Sequence, residues 1–325
     1  MSRPLAFPPS GLHVVIGAGG GTGSALVAEL VRRGVPVRAV TRTGSAAGLP
    51  AGVEIVAADA SRAEALRPAV AGAGVVYHAA NVPYPRWVAE LPGITRAIAD
   101  ATAEAGAKLV FADNVYAYGP TDGPMTESTP EAATDRKGRL RAQLAADLLA
   151  MHRAGRVRVA IGRSPDYFGP AGANSTVGSQ VFERVAAGQP ARWLGSADVP
   201  HSVAFLPDLA AGLVTLGLSE AADGRVWHLP VTGSPTGREL VAAVERHLGR
   251  PVKLSVMGAT TIRLLGIVSP MVREIGPLMF EWERPFVSDA SAFAAAFGPV
   301  PTTPLDKAVA ATVDWFAAEA RRAAA

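Results

Sequence analysis

Leu12-His13-Val14-Val15-Ile16-Gly17-Ala18-Gly19-Gly20-Gly21-Thr22-Gly23-Ser24 is the stretch that decides the fold. A β-type run stops abruptly in glycines, and an apolar pattern of Leu26, Val27, Leu30 and Val31 begins just beyond. A strand covered on both faces reads as such a continuous run. The spacing that follows predicts a helix over Ser24–Arg33. Between them Gly17, Gly20 and Gly23 stand as G-x-x-G-x-x-G. Glycine permits the tight turn and lets backbone N–H groups approach a ligand with no Cβ in the way. The helix start at Thr22–Ser24 presents unbonded N–H groups and the positive end of the peptide dipole, which suit phosphate. Strand, loop and helix in this order predict a dinucleotide whose pyrophosphate rests on Gly17, Gly20, Gly21, Thr22 and Gly23.

The same alternation continues outward. β-type runs at Val35–Thr41, Val53–Ala57, Gly74–His78, Lys108–Ala112 and Val157–Arg163 alternate with helical segments from about Arg62, over Leu91–Ala105 and over Arg136–Arg153. This predicts an α/β fold, a Rossmann-type doubly wound parallel sheet. After Pro165 the pattern loosens. Gly, Pro, Asn and Ser crowd Gly169–Ser179. Helices are expected at Gln180–Ala187, Leu209–Leu218 and Arg238–Leu248, and strands at Val203–Leu206 and Val226–Pro230. The expected division is a dinucleotide-binding domain over residues 1–165, with segments near 201–230 rejoining it. Residues 166–200 and 231–325 form a smaller, interleaved C-terminal substrate lobe.

Composition narrows the function. The 325 residues are 49% hydrophobic and 18% charged, and they include no cysteine. Disulfides, thiolate metal sites and cysteine nucleophiles are excluded. No His/Asp/Glu group has metal-ligand spacing, so no metal is expected. Thirty-one Lys and Arg against 28 acids leave a net charge of +3 without a basic arm, which argues against nucleic acid. The proline-rich start, Met1 to Ser10, has no long apolar core, and Thr260–Trp282 is interrupted by Arg263, Arg273, Glu274 and prolines. Neither reads as a membrane segment. The second reads as helices covering a pocket or an interface, and a cytoplasmic enzyme is expected. The Ala/Arg-rich tail from Ala317 reads as a fraying helix end.

Arg42 sits just past the second strand, where the adenosine ribose should lie, and no acid stands in Val40-Thr41-Arg42-Thr43. A carboxylate there would bond the ribose hydroxyls, whereas Arg42 offers a cationic fork for a 2′-phosphate. NADP is therefore expected over NAD. Asp59, after the third strand, is placed either to meet adenine or to cap a turn.

With these residues assembled, the chain resembles an extended short-chain dehydrogenase/reductase of the NAD-dependent epimerase/dehydratase type. Val75-Val76-Tyr77-His78-Ala79-Ala80-Asn81 resembles that family's fourth strand and its turn over the cofactor. Asn114-Val115-Tyr116-Ala117-Tyr118-Gly119 resembles the segment after the fifth strand. Arg163-Ser164-Pro165-Asp166-Tyr167-Phe168-Gly169-Pro170 resembles the stretch after the sixth. The resemblance implies that Ala79, Ala80 and Asn81 line the cofactor. It also implies a homodimer through Leu91–Ala105 and Arg136–Arg153.

The departures fall on the proton relay. The family places Ser or Thr where Asn114 stands, and a Tyr-x-x-x-Lys on the next helix, where this chain has Lys137-Gly138-Arg139-Leu140-Arg141. The i, i+4 spacing keeps Lys137 and Arg141 on one helix face. The resemblance then assigns Lys137 to the tyrosine's place and Arg141 to the nicotinamide ribose, with Asn114 opposite. Three readings stay open. Lys137 is the acid/base, its pKa lowered by Arg141 and burial. Or another group near the cleft moves the proton, among Tyr116, Tyr118, Asp113, Tyr167 and His201. Or redox chemistry is lost and the dinucleotide is only held. Tyr84, Trp87, Tyr167, Phe168, Trp193, Trp282 and Phe286 would wall an apolar substrate, with His201 beside it. A nucleotide sugar would need cations such as Arg192 and Arg284.

Overall fold

The structure, a computed structural model, describes residues 11–45 and 48–324. The proline-rich start lies outside the described residues. Strands β1 (Leu12–Ile16), β2 (Val37–Thr41), β3 (Glu54–Ala57), β4 (Ala73–His78), β5 (Lys108–Asn114) and β6 (Arg158–Ser164) are followed by β7 (Asp166–Phe168), β8 (Ala191–Leu194), β9 (Val203–Phe205), β10 (Arg225–His228) and β11 (Leu254–Met257). The main sheet is seven-stranded, in the order β10-β6-β5-β4-β1-β2-β3, with parallel pairing throughout. The order reverses between β1 and β4, which opens a ligand crevice at their carboxyl ends.

The helices are α1 (Gly21–Arg32), α2 (Ala63–Val70), α3 (Trp87–Glu104), α4 (Arg136–Arg153), α5 (Arg184–Ala186), α6 (Leu206–Leu218) and α7 (Gly237–Leu248). Beyond them come α8 (Ala259–Val268), α9 (Pro270–Ile275), α10 (Phe280–Glu283), α11 (Ser291–Phe297) and α12 (Leu305–Ala324). The Ala/Arg-rich tail continues α12. Helix α1 begins at Gly21 rather than Ser24, because the Gly20 amide bonds the Gly17 carbonyl at 3.1 Å and the Ser24 amide bonds the Gly20 carbonyl at 2.8 Å. The chain winds into helix while still inside the glycines.

Adjacent strand residues serve opposite cores, as a period of two requires. Val14, Val76, Leu109 and Ile161 pack on Leu66, Leu91, Ile98 and Leu148 of α2, α3 and α4. Val15, Tyr77, Val110 and Ala160 pack on Leu26, Leu30, Leu209 and Leu213 of α1 and α6. Each large side chain so buried contributes roughly 1.5–3 kcal/mol.

Two expectations are corrected. The Val203 strand does not rejoin the main sheet; β9 pairs with β7 in a separate two-stranded sheet. Three of the residues expected to wall the substrate, Phe168, Trp193 and Trp282, build a third core instead. Phe168 is fully buried and stacks on Phe182 at 5.5 Å. Trp193 and Trp282 meet edge to face at 5.0 Å inside the same cluster. A lobe with its own core needs its large aromatics for packing, and these are withdrawn from the cleft. The helix expected at Gln180–Ala187 is present, wound as a π-helix over Gly178–Glu183 before it passes into α5.

Candidate active site

At the nucleotide end the backbone is the working surface. Gly17 has φ of +91°, and a Cβ there would lie 2.6 Å from the Ala79–Ala80 peptide. A Cβ on Gly23 would lie 2.1 Å from the Gly17 carbonyl. Strand end, helix start and the turn after β4 are therefore packed main chain to main chain. At Gly19 and Gly20 nothing comes nearer than 3.5 Å, so the crest of the loop is open. Helix α1 has no side-chain cap and no acid in its first turn. Its leading N–H groups stay available for an anion, and the loop fits a dinucleotide pyrophosphate.

Around this loop the side chains divide. The Tyr167 hydroxyl lies beside Thr22, and burial, with Asp166 nearby, pushes it up to about 12. Tyr167 thus sits at the start of α1. The Asp59 carboxylate accepts from the Ser61 amide at 2.9 Å and hydroxyl at 2.7 Å, which hold it below its usual range. It serves the turn before α2. Exposed Arg42 is close enough for its charge to reach Asp59, and among the described residues it makes no ion pair. Asn81 accepts from the Val82 amide next to it at 2.9 Å.

At the other end side chains dominate. Asp135 caps α4 by accepting from the Lys137 and Gly138 amides, both at 2.9 Å. The helix turns Arg136 and Arg139 outward and buries Lys137 and Arg141, which are 2% and 5% exposed. Both inward cations are engaged. Lys137 Nζ donates to the Glu274 carbonyl at 2.6 Å and meets the Glu274 carboxylate at 2.5 Å, 5.5 Å from the centre of the Tyr84 ring. Arg141 donates to Asp113 at 2.6 Å and to the Ala112 carbonyl at 3.2 Å, and lies against the Trp87 and Phe111 rings. The other Asp113 oxygen accepts from Arg163 at 2.8 Å, and Arg163 also meets Glu131 at 2.6 Å. Burial alone would raise the Asp113 carboxyl; the Arg141 and Arg163 charges outweigh it and hold the carboxyl below its usual range.

This changes the expected division of labour. Arg141 gives its Nε to Asp113 and one Nη to the Ala112 carbonyl, because a buried unpaired carboxylate would be costly. The Asn114 side-chain oxygen accepts from the Tyr116 amide at 3.2 Å and starts the single turn Val115–Tyr118. The Tyr116 hydroxyl meets the Tyr84 hydroxyl at 2.8 Å. Burial pushes both phenols up, Tyr116 well above its ordinary value. Tyr118 leaves the set, since its hydroxyl meets His228 Nε2 at 2.6 Å inside the core.

His201 is a clamp rather than a substrate contact. It is 1% exposed, stacked on Trp282 at 4.2 Å. Its Nδ1 donates to the Glu281 carbonyl at 3.0 Å, and its Nε2 meets Asp166 at 2.8 Å. Glu274, Asp166 and Glu281 were not singled out as site residues from the sequence. The signal for Glu281 was an acid wedged between Phe280 and Trp282 in a run that otherwise reads as buried. Burial, then Asp166 and Asp135, keep its carboxyl well above the usual range.

The model of the NAD dependent epimerase/dehydratase family matches residues 13–228. The chain belongs to this family. No curated protein matches the chain in sequence. Among solved structures, a UDP-glucuronic acid 4-epimerase from Bacillus cereus in complex with NAD superposes with a TM-score of 0.75 at 15% identity, over 95% of this chain and 99% of that one. A nucleoside-diphosphate-sugar epimerase from Pseudomonas aeruginosa gives 0.77 at 19% identity, over 95% and 98%. A Thermus thermophilus UDP-glucose 4-epimerase in complex with NAD gives 0.73 at 18%, over 94% and 98%. At these identities the structures show the shared fold. Family membership makes the protein a nicotinamide-dinucleotide enzyme of the short-chain dehydrogenase/reductase type. No helix among the described residues is long and apolar enough to cross a membrane.

Proposed function

We propose that the protein reduces a carbonyl or enone of a mostly apolar small molecule with NADPH. One observation carries this reading: the groups gathered at the reacting end are ion-paired or are buried phenols, and none stands as a free base. Lys137 is ion-paired to Glu274, and the Tyr84 and Tyr116 phenols are pushed up by burial. Asp113 is locked between two arginines. An epimerase must first take a proton from a substrate hydroxyl, which calls for a group poised to deprotonate near neutral pH. A reductase needs the opposite, a donor for the oxygen that receives electrons. A bound dinucleotide would supply the hydride; Gly17–Gly23 and Thr22 would hold its pyrophosphate, with Ala79–Ala80 and Tyr167 beside it, and Lys137, Asn114 and Tyr116 would stand at its reacting end.

The redox-neutral epimerase is the second reading, favoured by the names of the similar structures. Against a nucleotide sugar, Arg192 neighbours Gln180 and Arg184, whereas Arg284 lines a different groove with Thr121–Pro124. The two cations are not gathered for one diphosphate. Purified protein incubated with NADPH and a panel of ketones, aldehydes and enones decides by the loss of reduced-nicotinamide absorbance. Steady oxidation is expected. Tightly retained cofactor without turnover supports the epimerase, and reversible binding without chemistry supports a sensor. Cofactor choice is assigned to Arg42: Arg42→Ala should weaken NADPH about tenfold, about 1.4 kcal/mol, and leave NADH unchanged. An unchanged preference removes that assignment. A homodimer through α3 and α4 is part of the same proposal; light scattering at the 33.4 kDa of one chain across concentrations removes it.

A further inference from the structure

Every hydride delivered to a carbonyl carbon requires a proton at its oxygen, and the two residues in the relay positions are already committed. Lys137 is held twice by Glu274, and Arg141 is held by Asp113. Among the described residues, a neighbouring carboxyl is uncommitted. Glu281 is 1% exposed, and its Oε1 has no hydrogen-bond partner. Its place is fixed: His201 joins the Glu281 carbonyl to the Asp166 carboxylate, and Trp282 stacks on that imidazole. Asp166 of β7, together with Asp135 and Lys137 of α4, acts on the Glu281 carboxyl. Tyr84 and Tyr116, from the turns after β4 and β5, feel its charge in turn. An ionised carboxylate with an unbonded oxygen in such a place is costly, so the group keeps its proton.

We propose that Glu281 is the proton donor of this site, a neutral carboxylic acid that protonates the substrate oxygen during reduction. The proposal rests on the reductase reading. The hydride pair forms the new C–H bond, and the C=O π pair moves onto oxygen. The Glu281 O–H bond breaks and its proton forms the O–H of the product alcohol. The carbonyl gains two electrons, and the reduced nicotinamide loses them. Glu281 is left as a carboxylate, which the Lys137 charge favours and which water reprotonates after release. The tyrosine of the family's relay is thereby replaced by an acid from a distant part of the chain, within electrostatic reach of Lys137.

Two measurements on the full chain test this. Infrared difference spectra at neutral pH should show the stretch of a protonated carboxyl, shifted in heavy water, lost in Glu281→Gln and kept in the exposed control Glu283→Gln. The substitution is isosteric and removes a poorly solvated acid, so its melting temperature should not fall. With a carbonyl from the panel, Glu281→Gln should lower kcat about a hundredfold or more, leave NADPH binding unchanged, and be partly rescued by Glu281→Asp. Absence of the protonated band in the wild type, or Glu281→Gln turnover within twofold of wild type, overturns the proposal. A wild type that shows the band, loses it in Glu281→Gln and yet reduces no carbonyl overturns the reductase reading and its donor step. That result leaves Glu281 standing as a proton-holding site.

Discussion

The two ends of the cleft are made of different material. The nucleotide end is main chain: the open crest at Gly19 and Gly20, and contacts at Gly17 and Gly23 too close for a Cβ. The reacting end is a set of long side chains, each held by a partner on another element: Lys137 by Glu274 of α9, Arg141 and Arg163 by Asp113 of β5. A backbone site has no charge to titrate, and its tolerance of substitution is set by hard contact. A site of paired side chains tolerates change in shape but not in charge balance. The first is insensitive to pH and intolerant of a methyl group; the second is the reverse.

Substitutions can break that contrast, starting with the largest effect. Gly23→Ala drives a methyl group toward the Gly17 carbonyl, with only backbone to yield. A loss above about 4 kcal/mol is expected in urea unfolding, with dinucleotide binding lost as well. A stable variant that still binds would mean the loop yields more than its geometry implies. Asp113→Asn keeps the shape and removes the charge between two buried guanidiniums. It should cost about 3–5 kcal/mol, whereas Arg141→Met, which leaves Arg163 on Asp113, should cost less. Equal losses from the two would deny that charge balance governs this end.

Acid should act through buried imidazoles. Burial holds His78 down at about 3, with the Arg141 charge adding to it, and holds His13 down at about 4. Both lie below the unfolded value of about 6.5, so below that pH the unfolded chain takes up protons that the folded chain refuses. The stability present above about pH 6.5 is then lost as the pH falls, by about 2 kcal/mol between pH 6.5 and 5.5 for the two groups together. His78→Gln should remove about half of that slope, the half belonging to the reacting end; melts at several pH values that show no difference would place the acid sensitivity elsewhere. The smallest effect belongs to Glu274→Gln. The Glu274 carboxylate is 31% exposed and its carbonyl still accepts from Lys137, so about 1 kcal/mol is expected. Faster proteolysis within residues 259–275 would register it.

The same contrast explains what could be read from the residues alone. Gly17–Gly23 is contiguous, and its order after β1 and before α1 was enough to place a dinucleotide. That Lys137 and Arg141 share one face was also legible, because i, i+4 spacing is a property of one helix; that the face turns inward was not. What they would touch was not. Asp113 and Glu274 reach α4 from a strand end and from a helix that reads only as an interruption in an apolar run. Phe168, Trp193 and Trp282 were open to either reading, since a pocket wall and a core draw on the same side chains. Only the existence of a separate core in the second lobe decides between them.

The grip of Glu274 on Lys137 sets a condition on anything that binds nearby. A ligand that recruits the Lys137 ammonium must take it from Glu274, so its apparent affinity is the intrinsic one scaled by the fraction of time the ammonium is free. Glu274 is carried by α9, and the adjoining α8 leaves Leu264, Ile267 and Val268 between 62% and 80% exposed. Lightly packed segments are the ones that open first. A ligand that takes the ammonium therefore also removes a tie between α4 and α9, beside this exposed apolar stretch.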